Sequence, residues 1–184
     1  MLRIVVLVAT KSEDIEVVTP VDLWRRAGIF VRLISIEKKK NVLLAHGNKI
    51  SCDEILAKEN LTKYNAIYLP GGMGFTKFND TDAPKLIDML SRYGRNPKYW
   101  FLAACAAPSV YGEMGLLEGV KATCYPGYEK SFKDTYVSNK NVVADKNFIT
   151  ANSPSAMIDF ALLVIEKLVS KAKADEIAKQ ILYK

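Results

Sequence analysis

The hydrophobic pattern of the chain switches repeatedly between short apolar runs and segments with helical spacing. The apolar runs predict buried strands, and they occupy residues 3–10, 29–36, 65–70, 98–104 and 121–126. Apolar residues three and four positions apart predict helices, and they fall in residues 13–28, 53–61, 82–96, 107–117 and 153–172, before a short terminal helix. Strands and helices therefore alternate along most of the chain.

Two short segments have the pattern of a hairpin. Gly47-Asn48 supplies the turn of the first, over residues 41–51. Asp145-Lys146-Asn147 supplies the turn of the second, over residues 141–150. Both pairs of strands are expected to be antiparallel.

Prolines and glycines mark the helix ends. Gly28 predicts the end of the first helix, and Ser153 followed by Pro154 predicts the start of the last long one. Pro20 lies inside the first helical segment and cannot donate a backbone hydrogen bond. We therefore expect that segment to be kinked, or its first half to be a separate turn.

This order of elements predicts an α/β fold. Several strands are apolar on both faces, which is typical of a mostly parallel sheet covered by helices on both sides. No repeat, linker or shift in composition divides residues 1–184, so we predict one domain. In such a sheet, ligands bind beyond the carboxyl ends of the strands, where the strand order reverses.

Composition and charge argue against several classes of function. The chain has 184 residues, 49% hydrophobic and 25% charged, which indicates a globular protein. The net charge of +6 comes from scattered residues, and the one basic cluster, Lys38-Lys39-Lys40, is expected to be a solvated turn. Specific binding to nucleic acid is not predicted. With three cysteines, no CxxC pair and a single histidine, His46, neither a disulfide framework nor a zinc site is expected.

The start of the chain could be misread as a signal peptide. We interpret residues 1–10 as a buried strand, because the run is short and leads directly into acidic residues without a cleavage site. No segment reaches the roughly 18 apolar residues of a membrane span. We therefore expect a reducing, cytoplasmic location, and the glycosylation tripeptides at 60–62 and 79–81 have little weight.

The most distinctive chemistry lies at Cys105, where a predicted strand meets a predicted helix. Alanines surround the cysteine on both sides, and Pro108 follows them. Small neighbours are needed when a nucleophile occupies a strained corner, and the following helix is expected to lower the pKa of the thiol. The N–H group of Ala106 is a candidate oxyanion donor. The alternative is an inert cysteine at a tightly packed crossing.

Two further features fall at the same predicted edge. Gly71-Gly72 follows the strand at residues 65–70, and the N–H of Gly72 would approach a substrate closely. Glu16 follows the first strand and would serve as a buried, protonated proton shuttle beside Cys105. The alternatives are an ordinary turn and an ordinary acidic surface.

The segments AACAAPS, LPGG and EDIEVVTPVDLWRRAG, together with ITANSPSAMIDFALLVIEKL, resemble the ThiJ/PfpI superfamily over essentially the whole chain. The resemblance is strongest to the branch of the parkinsonism-associated protein deglycase. It implies a flavodoxin-like three-layer sandwich of the class I glutamine amidotransferase type, and a homodimer. It also implies that Cys105 is the reactive thiol, that Glu16 bonds to it, and that Gly72 and Ala106 donate backbone hydrogen bonds.

The activity implied is that of a glyoxalase or protein deglycase without metal or cofactor. Cys105 would attack methylglyoxal, or a glycated protein or nucleotide, in a pocket lined by Gly71, Tyr125, Pro126 and Pro154. The alternative is a redox-sensing protective chaperone, in which Cys105 is oxidised to a sulfinate without turnover. The superfamily's thiazole-biosynthesis name receives no support, because the sequence has no phosphate-binding glycine loop.

The sequence departs from the superfamily pattern at two positions. Ala106 stands where the peptidase branches have a histidine, and Tyr125 stands where the deglycase branch often has one. His46 lies in the predicted hairpin, so no Cys–His pair is predicted and proteolysis is disfavoured. Cys52 and Cys124 are possible redox partners of Cys105, although we interpret both as packing residues.

Overall fold

The structure, a computed structural model, describes residues 1–79 and 83–183. The last two residues of the tripeptide at 79–81, and the first residue of the helix predicted at 82–96, therefore lie outside the described residues. The elements, in chain order, are β1 (Arg3–Val8), α1 (Asp14–Arg26), β2 (Phe30–Ser35), β3 (Asn41–Leu43), β4 (Lys49–Ser51), β5 (Glu54–Ile55), β6 (Ala66–Leu69), α2 (Pro84–Tyr93), β7 (Trp100–Ala104), α3 (Pro108–Glu113), β8 (Lys121–Ala122), β9 (Tyr136–Val137), β10 (Val142–Asp145), β11 (Phe148–Ala151), α4 (Met157–Leu168) and α5 (Lys171–Gln180).

A seven-stranded sheet runs through the middle of the molecule, in the order β10-β11-β7-β6-β1-β2-β5. Neighbouring strands are parallel except β10 and β11, which form the predicted antiparallel hairpin. β1 pairs with β2 on one side and with β6 on the other. The direction in which strands are added to the sheet therefore reverses between β1 and β6. A binding site is expected beyond the carboxyl ends of these strands.

The core is divided by the sheet into two apolar clusters. One contains the buried residues of α1, α4 and α5, and the other contains those of α2 and α3. This three-layer arrangement confirms the predicted α/β sandwich. Within the described residues, no helix combines the length and hydrophobicity needed to cross a membrane.

The predicted helix at residues 53–61 is wrong. Glu54 and Ile55 instead pair with β2 as an edge strand, and short 3-10 turns follow at Leu56–Lys58 and Leu61–Lys63. A helix this short is marginal by itself, whereas pairing with β2 satisfies backbone groups of the sheet edge.

Three other elements differ in extent from their predictions. The helix predicted at 153–172 is a 3-10 turn, Pro154–Ala156, followed by α4, and Ser170 then caps α5. The Ser153 side chain makes no capping bond to the backbone. The strand predicted at 121–126 is reduced to β8, which pairs with β9 outside the main sheet, and α3 ends at Glu113. The hairpin at residues 41–51 is confirmed.

One of the two alternatives predicted at Pro20, a separate first turn, is wrong, because α1 continues through the proline. An interior proline leaves the carbonyl four residues earlier without its helical donor, and here that carbonyl belongs to Glu16. The hydroxyl of Tyr68, on β6, donates to this oxygen at 2.9 Å. A tertiary contact therefore replaces the missing hydrogen bond, and it fixes α1 against the sheet at Glu16.

Candidate functional site

Three loops meet at the carboxyl edge of the sheet. They follow β1, β6 and β7, and they bring together Glu16, Gly71-Gly72 and Cys105. Glu13 donates its N–H to Gly71 O at 3.1 Å, and Gly74 donates to Lys11 O at 3.0 Å. Cys105 donates its N–H to Ala151 O, at the end of β11, at 2.8 Å. The loops therefore hold one another in a fixed arrangement.

Cys105 occupies the strained corner that the alanine-rich sequence predicts. Its φ angle is +56°, in the left-handed region that non-glycine residues seldom adopt. Ala104 and Ala106 on either side are buried, whereas Cys105 itself is only partly buried. The backbone N–H groups of Gly72 and Ala106 bond to the Cys105 side chain. The sulfur thus lies at a rigid, accessible bend with two nearby donors.

Glu16 is fully buried beside this cysteine. Its Oε2 accepts a hydrogen bond from the N–H of Gly71 at 2.6 Å, and its carboxyl is hydrogen-bonded to the Cys105 side chain. Its Oε1 has no N–H or O–H partner among the described residues. An acceptor oxygen buried in this way is costly unless it carries a proton. The geometry therefore favours a protonated carboxyl that faces the sulfur.

The ionisation of the two groups is coupled. Burial, together with the nearby charge of Glu13, raises the pKa of Glu16 to about 7, although the hydrogen bonds from Gly71 and Cys105 oppose the rise. Burial and the charge of Glu16 raise the pKa of Cys105 to about 12, against the lowering effect of the Gly72 and Ala106 amides. The lowered thiol pKa predicted from the sequence is wrong, because α3 has only six residues and burial outweighs it.

Glu16 and Cys105 share a hydrogen bond, so their titrations are coupled. Glu16 releases its proton near pH 7, whereas Cys105 keeps its proton to high pH. Above pH 7 the pair is therefore a carboxylate beside a thiol. In this form Glu16 can act as the base that removes the thiol proton when a substrate is attacked.

Position 71 requires glycine, because the surrounding atoms leave no room for a side chain. A Cβ atom there would lie 2.7 Å from Cys105 Cβ, 2.8 Å from Glu16 Oε2 and 2.9 Å from Ala104 O. Gly72 has a φ angle of +76°, and a Cβ there would lie 2.6 Å from Lys11 O. Glycine at both positions therefore allows the loop after β6 to contact the other two.

The remaining predicted pocket residues lie around this corner. Tyr125 is exposed, and its N–H donates to Cys105 O at 2.7 Å. Its ring contacts Tyr128, which in turn contacts Phe75, in edge-to-face pairs. Pro126 is exposed and Pro154 is partly buried at the start of its 3-10 turn. Their part in a substrate pocket stays a prediction.

His46 lies beside the start of α1, a contact that the predicted hairpin did not indicate. Its backbone N–H donates to Asp14 at 2.9 Å, and its ring lies 3.8 Å from a Glu13 carboxylate oxygen. These three side chains are a possible metal-ligand group within the described residues. However, Asp14 also accepts a bond from Asn48, and Glu13 accepts one from the N–H of Glu16. These contacts attach the hairpin to the start of α1.

Two contributors to the site were missed by sequence reasoning. Glu13 caps α1 through its bond to the Glu16 N–H at 2.8 Å, and Tyr68 supports the Glu16 carbonyl. The spacing of four residues between Glu16 and Pro20 was the available signal, since it identifies the carbonyl that needs another donor. Nothing in the sequence identified Tyr68 as that donor.

The comparisons with known proteins decide the family. The model of the DJ-1/PfpI family matches residues 2–167. The chain belongs to the DJ-1/PfpI family. Protein dj-1beta of Drosophila melanogaster is 32% identical over 96% of this chain and 95% of its own length. The Parkinson disease protein 7 homolog of Danio rerio is 30% identical over 99% and 97%, respectively.

Solved structures of the DJ-1/PfpI family share the fold. The oxidized form of Toxoplasma gondii DJ-1 has a TM-score of 0.90, with 32% identity, and the match covers 100% of this chain and 99% of that one. The family resemblance predicted from the sequence is therefore confirmed, as is the flavodoxin-like fold.

Replacing Tyr68 with phenylalanine should destabilise the protein by about 1–3 kcal/mol, because a buried carbonyl loses its donor. Tyr111→Phe is the matched control, since its hydroxyl donates to the buried carbonyl of Leu102 at 3.1 Å. Chemical unfolding should show a lower free energy of unfolding in both variants. Only Tyr68→Phe should also shift the pH midpoint of Cys105 alkylation, and an unchanged midpoint would show that Tyr68 has no part in positioning Glu16.

Proposed function

We propose that this protein is a cofactor-independent glyoxalase or protein deglycase that uses Cys105 as its nucleophile. The single observation that carries this proposal is the contact between a partly exposed thiol at a strained bend and a fully buried carboxyl whose pKa is raised to about 7. A carboxyl that changes protonation near neutral pH is suited to move a proton in both directions. Strongly shifted groups in contact are typical of catalytic sites.

In the first step Glu16, as carboxylate, takes the proton of the Cys105 thiol, and the sulfur attacks the aldehyde carbon of methylglyoxal. A C–S bond forms, the carbonyl π electrons move to oxygen, and the proton held by Glu16 passes to that oxygen to give a hemithioacetal. The N–H groups of Gly72 and Ala106, which face the sulfur, are the proposed donors to the developing oxyanion. Glycated thiols and amines would present an equivalent carbonyl carbon.

The second step transfers a proton between the two substrate carbons. Glu16, as carboxylate, removes the proton from the carbon bonded to sulfur, and it returns that proton to the neighbouring carbon. Through the enediol, the ketone oxygen gains a proton and the hydroxyl of the hemithioacetal loses one, so the product is a thioester of lactate on Cys105. Water hydrolyses this thioester to lactate and free thiol. The redox change is internal to the substrate, so the balance requires only water.

The decisive test of this activity is Cys105→Ala, measured by methylglyoxal consumption and lactate formation. The variant should lose at least 1000-fold in kcat/KM, because covalent catalysis is removed. Cys52→Ala is the matched control, since that cysteine is buried at the start of the β4–β5 connection, and its activity should be unchanged. Consumption of methylglyoxal by Cys105→Ala at the wild-type rate would refute the proposal.

A second candidate function is a redox-responsive protective chaperone. It is favoured by the same protonated carboxyl, which would donate a hydrogen bond to an oxidised sulfur, and by the oxidised state of the Toxoplasma gondii relative. Selective oxidation of Cys105 by dilute peroxide, in a protein without glyoxal turnover, would support this candidate over the enzyme.

We further propose that the protein acts as a cytoplasmic homodimer. Ile15 and Val18 of α1 are about half exposed, and Leu43 of the hairpin is similarly exposed. Large apolar side chains grouped at a surface are typical of an interface. This surface adjoins the loop that carries Glu13, so pairing of two copies would cover one side of the site.

A further inference from the structure

We propose that Cys124 is a resolving thiol for Cys105, and that peroxide converts the two into an intramolecular disulfide. This inference depends on the reactive Cys105 of the proposed function, but it does not depend on glyoxal turnover. It favours the redox role of Cys124 over the packing role that we preferred from the sequence.

The backbone brings the two cysteines side by side. The peptide N–H that follows Cys124 donates to the carbonyl of Cys105 at 2.7 Å, which is a short and direct bond. The covalent bonds on either side of this hydrogen bond keep the two Cα atoms within roughly 7.5 Å of each other. Disulfides join Cα atoms roughly 4.4–6.8 Å apart, so the two backbones are close enough for the side chains to meet.

The side chains share the same surroundings. Cys124 belongs to the apolar cluster on the α2–α3 side of the sheet, and Cys105 packs against that cluster. Burial raises the pKa of Cys124 to about 12, and the charges of Glu129 and Cys105 contribute to the rise. Cys105 is therefore close enough to Cys124 to affect its ionisation.

Exposure decides which cysteine meets the oxidant. Cys105 is partly exposed, whereas Cys124 is 6% exposed. A thiol enclosed by apolar side chains reacts slowly with peroxide, because the oxidant has little access to it. Cys124 is therefore expected to be oxidised through Cys105 rather than directly.

The reaction has two balanced steps. In the first, the Cys105 thiolate attacks one peroxide oxygen, the O–O bond breaks, and the products are Cys105 sulfenic acid and, after protonation, water. In the second, the Cys124 sulfur attacks the Cys105 sulfur, the S–S bond forms, and the S–O bond breaks. The leaving hydroxide takes the Cys124 proton and becomes water. Peroxide thus receives two electrons, and an added dithiol returns them.

The functional consequence is protection against irreversible oxidation. A sulfenic acid either condenses with a thiol or reacts with a second peroxide to give a sulfinate. An adjacent thiol that reacts first keeps the modification reversible. Formation of the disulfide would switch off the proposed enzyme without destroying its nucleophile.

Cys52 provides a matched comparison within the same chain. It is also buried, with its pKa also raised to about 12 by burial and by Asp53, but it lies in the cluster on the opposite side of the sheet. If peroxide oxidised buried cysteines without selectivity, Cys52 and Cys124 would react equally. If Cys124 is the resolving thiol, only Cys124 should form a disulfide with Cys105.

The experiment is mass spectrometry of the full-length protein after treatment with dilute hydrogen peroxide, followed by alkylation of free thiols and digestion with trypsin. Cleavage after Lys98, Lys121 and Lys130 places Cys105 and Cys124 on separate peptides, 99–121 and 122–130. The expected result in the wild type is that these two peptides become linked, and that a dithiol separates them.

Cys124→Ser should abolish the link and increase Cys105 sulfinate at least 10-fold under the same conditions, whereas Cys52→Ser should behave as the wild type. Circular dichroism should show that both variants are folded. Accumulation of sulfinate in the wild type with Cys124 free, or a link through Cys52 or between two chains, would overturn the inference. Failure of Cys105 to react with either peroxide or an alkylating agent would refute the proposed function as well.

Discussion

Replacing Glu16 with glutamine is expected to raise the free energy of unfolding by about 3 kcal/mol at pH 8, and to remove glyoxal turnover at the same time. The folded protein raises the pKa of this carboxyl from 4.5 to about 7. A rise of this size corresponds to about 3 kcal/mol, because each pH unit is worth about 1.4 kcal/mol. Glutamine has the same shape but never ionises, and its amide can occupy both the Gly71 and Cys105 contacts.

The sign of the pH dependence follows from the raised pKa. Proton binding to Glu16 favours the folded state fully below pH 4.5, and this contribution is lost as the pH rises through about 7. The wild type should therefore lose stability relative to Glu16→Gln between these two values. Above pH 7 the melting temperature of the variant should be higher by about 6–12 °C.

The measurement is thermal and chemical unfolding of both proteins from pH 4.5 to 8. Glu176→Gln is the control, since its carboxylate lies on the exposed surface of α5, and it should change stability little at any pH. A stability difference between wild type and Glu16→Gln that is constant across the range would contradict a buried carboxyl with a raised pKa.

The same variant separates the two roles of Glu16. The pKa of the wild-type Cys105 thiol is raised to about 12 by burial and by the charge of Glu16, so alkylation by iodoacetamide should increase only at high pH. Glutamine removes that charge. The alkylation midpoint of Glu16→Gln should therefore lie below that of the wild type. An unchanged midpoint would show that the Glu16 charge does not act on the thiol.

Gly71→Ala is expected to cost about 1–3 kcal/mol of stability and at least 100-fold in kcat/KM. The added methyl group would lie 2.7 Å from Cys105 Cβ and 2.8 Å from Glu16 Oε2, so the nucleophile and the carboxyl must separate. Overpacking in a rigid interior has a cost of this size. A displacement of about 1 Å between reacting groups is enough for a 100-fold loss in rate.

The control for Gly71→Ala is Gly28→Ala, at the far end of α1. A Cβ at Gly28 meets nothing within 4 Å, but the residue has a φ angle of +79°. Gly28→Ala should therefore lose about 1–2 kcal/mol of stability through backbone strain alone and keep its activity. Unfolding curves and methylglyoxal kinetics of both variants test this contrast, and full activity in Gly71→Ala would show that the observed packing is not needed for turnover.

The sequence determined much of the architecture by itself. The apolar runs that became β1, β6 and β7 indicated strands in the middle of a sheet, because both faces of each are hydrophobic and buried. The alanines around Cys105 likewise indicated a strained corner, since larger side chains do not fit such a bend. Family resemblance then connected Cys105 with Glu16.

Only the tertiary structure decided how that site is held and ionised. Pro20 was expected to interrupt α1, but the Tyr68 hydroxyl, 52 positions from Glu16, replaces the missing donor. The helix after Cys105 was expected to lower the thiol pKa, but burial and the Glu16 charge raise it. Both outcomes depend on groups distant in sequence. Local propensity depends on residues that are neighbours in the sequence, whereas desolvation and long-range hydrogen bonds arise only when the chain has folded.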